Sequence, residues 1–119
     1  MRGVRGATTV EENSQEAIWD SARELVSVMM EKNGIGPQDI GAAIFSATED
    51  ITAAFPATGA RQIPGMEAVP LFDARQMAVE GSLPLCIRVL LLTDLDKPQG
   101  EVVHVYLRGA GVLRPDLCK

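Results

Sequence analysis

Residues 83–93 read Leu-Pro-Leu-Cys-Ile-Arg-Val-Leu-Leu-Leu-Thr, with one charge in the whole run. Aliphatic and β-branched residues follow one another without polar alternation, the pattern of a central strand covered on both faces. Arg88 stands in the middle of it. A guanidinium keeps its charge at any ordinary pH and is costly among aliphatic neighbours unless an anion and acceptors meet it. Two readings follow: Arg88 pairs with a carboxylate of the protein or reaches solvent, or the anion it meets is a ligand.

The rest of the chain fits one domain over residues 1–119, long enough for a modest core but not for two. Residues 1–9 alternate and predict a first strand ending near Val10. Asn13 and Ser14 offer N-caps, and Glu16 follows Asn13 at capping-box spacing. Ile18, Ala22, Leu25, Val26 and Met29 then fall on one helical face, and Asn33-Gly34 ends the helix. Residues 36–39 read as a turn and residues 42–48 as a buried strand. Pro56 opens a short helical segment carrying Arg61. A short strand over residues 69–72 is interrupted by Pro70, and residues 73–76 read as a polar connection. Residues 94–100 form a loop, and residues 102–107 alternate as a last strand. The tail from Leu113 reads as extended.

Four or five strands with one long and one short helix predict an α+β domain, a mixed β-sheet with helices on one face. The other face then needs a cover, and an apolar central strand with too few helices for two layers predicts a homo-oligomer of packed sheets.

Eleven basic residues against 16 acidic ones give a net charge of −5, with no basic run, which argues against nucleic acid. The longest apolar run is far too short for a bilayer and there is no signal-peptide pattern, so the expected location is cytoplasmic, with no membrane partner. Cys86 and Cys118 lack metal or disulfide spacing and read as free thiols. The lone His104 has no partner at ligand spacing and reads as structural or solvated, so no metal site is assigned. No phosphate loop, nucleophile elbow or His-Asp-Ser set is present. What remains is a set of arginines in apolar contexts (Arg5, Arg61, Arg88, Arg114), Tyr106, and the polar pair Asp73 and Gln76. That set suits a small dicarboxylate held by charge-assisted hydrogen bonds. On the residues alone, it specifies a binding site and no reaction.

Six segments in order, Arg-Gly-Val-Arg-Gly-Ala-Thr-Thr-Val-Glu at 2–11, Ser-Ala-Thr-Glu-Asp at 46–50, Ala-Phe-Pro-Ala at 54–57, Cys-Ile-Arg-Val at 86–89, His-Val-Tyr-Leu at 104–107 and Leu-Arg-Pro-Asp-Leu at 113–117, closely resemble the AroH-class monofunctional chorismate mutases. The resemblance covers essentially the whole chain. It implies a homotrimer with a barrel-like core of packed sheets and an active site in each cleft between subunits. It also implies the Claisen rearrangement of chorismate to prephenate, which needs no cofactor. By this resemblance Arg88 is the catalytic cation beside the breaking ether bond, and Arg5 and Tyr106 hold substrate carboxylate. Phe55, Ala57 and Arg61 would wall the cleft from the neighbouring subunit. Leu71, Phe72 and Leu113 would line it, and Arg114 would close over it.

Three positions depart from the family pattern. Thr58 stands where the family often carries a lysine. Gln76 stands where it usually has a glutamate accepting a hydrogen bond from the ring hydroxyl, and Asp73 replaces a cysteine or serine three positions earlier. Either Asp73 has taken over as acceptor with Gln76 in support, or the ring substituent differs, as in 4-amino-4-deoxychorismate or isochorismate. A third alternative is a trimer that binds a small carboxylate without turning it over.

Overall fold

The computed structural model describes residues 1–113. Five strands form, β1 (Arg2–Thr9), β2 (Ile40–Ala47), β3 (Leu71–Arg75), β4 (Cys86–Thr93) and β5 (Val105–Tyr106), with two helices, α1 (Gln15–Asn33) and α2 (Pro56–Arg61). The strands make one sheet in the order β3-β2-β4-β1-β5, so the apolar run around Arg88 is indeed central. β4 runs antiparallel to both β1 and β2, while β3 and β5 pair in parallel at the two edges. The sheet is mixed and the α+β expectation holds.

Within the single chain burial along β4 alternates, so one face is covered and the other is left open. Ile87, Val89, Leu91 and Thr93 are buried, whereas Leu90 and Leu92 are half-buried and Arg88 is exposed. The buried row meets Val4, Ala43 and Phe45 of the flanking strands under α1 and α2. The opposite face carries no helix, and Ile44 and Phe72 stand exposed on it at 38% and 65%.

α1 starts at Ser14, whose side-chain oxygen accepts from the Ala17 N–H at 3.2 Å. Asn13 is not the cap, contrary to the capping-box expectation: its side chain donates to Thr52 Oγ1 at 2.8 Å and accepts from the Thr52 and Ala53 N–H groups. Gly34, in the left-handed region at φ 64°, closes the helix as its glycine requires. The buried face, Ile18, Ala22, Leu25, Val26 and Met29, is the one the spacing marks.

Two glycines set how closely the layers approach. A Cβ on Gly6 would lie 2.4 Å from Met29 Sδ, so its absence lets α1 settle on β1. A Cβ on Gly59 would lie 2.4 Å from the Trp19 carbonyl oxygen, so α2 crosses α1 in backbone contact.

Two further expectations are corrected. Residues 73–75 are not a connection but continue β3 after Pro70, which stays outside the ladder. The last strand shrinks to two residues, with the neighbouring His104 accepting at Nδ1 from the Arg5 N–H at 3.0 Å. Arg108–Leu113 forms a 3-10 turn, tied back by ion pairs from Arg108 to Glu11 and Glu24. The tail expected to be extended lies, beyond Leu113, outside the described residues. Arg114 and Cys118 lie outside the described residues.

Candidate active site

Strand pairing decides which side chains share the helix-free face. Directly opposed residues point the same way, so Ala74, Ser46, Arg88, Ala7 and Tyr106 form one row across the sheet. Phe72, Ile44, Leu90 and Arg5 form the next. Ala7 is small and fully buried between Arg88 and Tyr106, and Ser46 is small on the other side of Arg88. Short side chains at those positions leave a depression among long ones. The result is a cleft of about 320 Å³ lined by Arg5, Ala7, Ile44, Ser46, Arg88, Leu90, Tyr106 and Leu113.

Arg5, Arg88, Tyr106 and Leu113 are thus brought together from four separate segments. Among the described residues neither Arg5 nor Arg88 has a carboxylate within ion-pair distance. The internal ion pair allowed for Arg88 is therefore absent there, and two guanidinium groups share a small, partly apolar cleft. Such a site attracts an anion with more than one acceptor. Cys86 lies two residues earlier than Arg88 on the same strand face; burial pushes its thiol up from the usual range, and the nearby Arg88 charge opposes the rise.

The remaining predicted residues lie elsewhere in the chain. Phe55, at 69% exposure, Thr58 and Asp73 border a second cavity of about 510 Å³ with Trp19, Thr48, Ile51 and Arg75. Ala57 is buried, and Arg61 is exposed at the end of α2. Leu71 faces the helices and packs on the core, while Phe72 is on the open face.

No hydrogen bond joins Asp73 to Gln76 Oε1 among the described residues. Asp73 lies opposite the buried Phe45, toward the helices, and its Oδ1 accepts from the Ala57 N–H at 3.0 Å. That carboxylate serves the N-terminal turn of α2, which has no cap from Phe55. Burial raises its pKa, and the Ala57 hydrogen bond only partly offsets the rise. Gln76 continues the ladder through its N–H to Ala47 O at 2.9 Å and lines an adjoining cavity of about 430 Å³ with Thr48 and Asp50. Its Oε1 is buried with no hydrogen-bond partner among the described residues.

Sequence reasoning passed over Ala7, Ser46 and Leu90. The two-residue alternation that places Arg5 and Arg88 on one face already contains Ala7 and Leu90, so that signal was present. Ser46 needed the pairing of β2 with β4. Among the described residues no group of three or more His, Cys, Asp or Glu is placed to hold a metal ion, and no helix is long and apolar enough to cross a membrane.

The family model for type I chorismate mutases matches residues 1–117. The chain is 57% identical over 118 residues to chorismate mutase AroH of Thermus thermophilus, covering 98% of this chain and 96% of that protein. It is 42% identical over 117 residues to chorismate mutase AroH of Bacillus subtilis, covering 98% and 92%. A chorismate mutase structure from Clostridium thermocellum superposes with a TM-score of 0.91 at 41% identity, covering 94% of this chain and 99% of that one.

Proposed function

The chain belongs to the type I chorismate mutase family, and from that premise we propose how its residues carry out the reaction. It is an isomerase, a chorismate mutase, serving aromatic amino acid biosynthesis. The rearrangement of chorismate to prephenate is unimolecular, so the work of the site is conformation and electrostatics. The observation that carries the reading is the convergence of Arg5, Arg88 and Tyr106 on one cleft whose guanidinium groups have no carboxylate partner among the described residues.

In this reading Arg5 and Tyr106 bind substrate carboxylate and hold the enolpyruvyl group over the ring, the near-attack geometry that removes most of the entropic barrier. Arg88 faces the ether oxygen. As the carbon–oxygen bond breaks, negative charge grows on that oxygen, and a fixed cation there stabilises the transition state more than the ground state. Leu113 and Leu90 exclude water from one side.

The cleft is open on its other side, and Phe55, Ala57, Thr58 and Arg61 stand apart from it in the chain. We assign them to the neighbouring subunit's site in a homotrimer whose open sheet faces pack together, covering Ile44 and Phe72. Thr58 leaves that wall without a lysine's charge, so Arg61 supplies the positive group there. The expected location is the cytoplasm.

Chorismate is favoured over a substrate with an amine in place of the ring hydroxyl. The amine reading needs an ionised Asp73 turned to the ammonium, whereas its Oδ1 is held by Ala57 N–H and burial disfavours its charged form. The neutral Gln76, whose Oε1 lacks a donor, suits a hydroxyl.

The test is the loss of chorismate with purified protein, run beside 4-amino-4-deoxychorismate and isochorismate, for wild type and Arg88→Ala. Chorismate is expected to be the best substrate. Arg88→Ala is expected to lower kcat by about 10²–10³-fold or more, the usual effect of removing one transition-state donor. Near-normal turnover by that variant would refute the electrostatic role, and binding of chorismate without turnover by wild type would refute the enzyme reading.

A further inference from the structure

β4 enters the sheet through a residue that should resist it. Leu85 has φ 47°, in the left-handed region that a bulky side chain rarely adopts. Three hydrogen bonds hold it and its successor. Leu85 N–H donates to Asp50 Oδ2 at 2.9 Å, Val10 N–H donates to Leu85 O at 2.8 Å, and Cys86 N–H donates to Thr48 Oγ1 at 3.0 Å. The Thr48 hydroxyl in turn donates to Asp50 Oδ1, and Thr48 N–H donates to Cys86 O at 3.1 Å. One oxygen of the Asp50 carboxylate thus takes the Leu85 N–H directly, and the other takes the Thr48 hydroxyl, which in turn accepts from the Cys86 N–H. The next side chain on the cleft face is Arg88, two residues along β4 from Cys86.

We propose that Asp50 is a positioning residue for the rearrangement, acting through the left-handed Leu85 and the Thr48 hydroxyl to fix the start of β4 and with it the Arg88 guanidinium. The inference rests on reading Arg88 as the cation at the ether oxygen. Asp50 does not border the Arg88 cleft, and both its carboxylate oxygens are taken by Leu85 N–H and the Thr48 hydroxyl, so it acts on Arg88 through them. Strain held in place by surrounding hydrogen bonds next to a reacting group is the expected signature of such a device. Freed of Asp50, Leu85 relaxes toward ordinary backbone angles, the first residues of β4 shift, and the guanidinium loses its aim. A misplacement of about 1 Å can cost on the order of 10²-fold in rate.

The experiment measures kcat, KM and melting midpoint for Asp50→Ala, Asp50→Asn, Leu85→Gly, the double variant Asp50→Ala/Leu85→Gly and Arg88→Ala. Asp50→Ala should lower kcat by about 10-fold or more with KM changed less than about twofold, since only transition-state stabilisation is lost. Glycine adopts φ 47° without steric cost, so the double variant should recover kcat to within about threefold of Leu85→Gly alone, a compensation that a general stability role would not give. If Asp50→Ala fails to fold, Asp50→Asn and Thr48→Val carry the same test, each removing one bond of the network. The proposal is overturned if kcat of the folded variants stays within about twofold of wild type, if KM takes the loss, or if Leu85→Gly rescues nothing. Normal activity in Arg88→Ala would instead overturn the role of Arg88, whatever the Asp50 variants do.

Discussion

Gly59→Ala should be among the most damaging methyl additions this chain can receive, although alanine is the better helix former. In an open helix the exchange would stabilise by about 1 kcal/mol. Here the added Cβ would lie 2.4 Å from the Trp19 carbonyl oxygen, 2.6 Å from Trp19 Cα and 2.9 Å from its carbonyl carbon. Ordinary contact begins at 3.4 Å, so α2 must back away from α1 by about 1 Å. The obstacle is backbone inside a 19-residue helix, not a side chain that can swing aside. Overpacking of this kind costs about 1–3 kcal/mol, and a rigid obstacle places it at the top of that range. Less the propensity gain, the net loss is about 2 kcal/mol, a fall in Tm of about 8–12 °C. Urea unfolding at fixed protein concentration reads it as a lower midpoint with an unchanged slope. Because Phe55, Thr58 and Arg61 ride on or beside α2, activity should fall as well. Gly100→Ala, with nothing within 4 Å of its Cβ, is the control and should change stability by less than about 0.5 kcal/mol. A Gly59→Ala protein as stable as wild type would refute the reasoning that backbone contact sets the seat of α2.

Asn33, 2% exposed, donates to Met29 O and Val103 O and accepts from Val103 N–H. Asn33→Ala should cost about 2 kcal/mol by calorimetry or urea melt, because it strips partners from Val103. Asp73 has its pKa raised by burial, so the folded state holds its proton to higher pH than the unfolded chain. Stability from this group is present at acid pH and lost as pH rises through the folded pKa. Asp73→Asn keeps an acceptor for Ala57 N–H and cannot ionise; it should be more stable than wild type at pH 7, with the advantage vanishing below the usual carboxylate range. A urea-midpoint series against pH checks the sign.

β4 and α1 were legible because each is long and has one dominant pattern, aliphatic continuity in one and 3.6-residue spacing in the other. β3 was not, because Asp73, Arg75 and Gln76 read as loop chemistry. The polarity has a tertiary cause: β3 is an edge strand, and Asp73 is there to meet the exposed N–H of Ala57. Asn13 looked like a cap as good as Ser14, and only the approach of Thr52 and Ala53 explains why it is used elsewhere. In the cleft, Arg5, Arg88 and Tyr106 announced themselves as polar groups in strands. Asp73 and Gln76 are three residues apart with Gln76 just past the end of β3, and the carboxylate turns to the Ala57 N–H. The role of the segment at 46–50 was invisible from spacing. Its Thr48 and Asp50 bond to residues 35 to 38 positions away, contacts that no local pattern encodes.

The central claim is that each active site joins the Arg88 cleft of one subunit to the Phe55–Arg61 wall of another. Subunit complementation tests it most directly: Arg88→Ala and Arg61→Glu proteins, each with greatly reduced activity, are unfolded together in equal amounts, refolded and assayed on chorismate. Random assembly of a cyclic trimer leaves about one site in four with both wild-type halves, so activity should rise to about a quarter of the wild-type value. Activity no greater than the average of the two variants refolded separately would contradict a shared site.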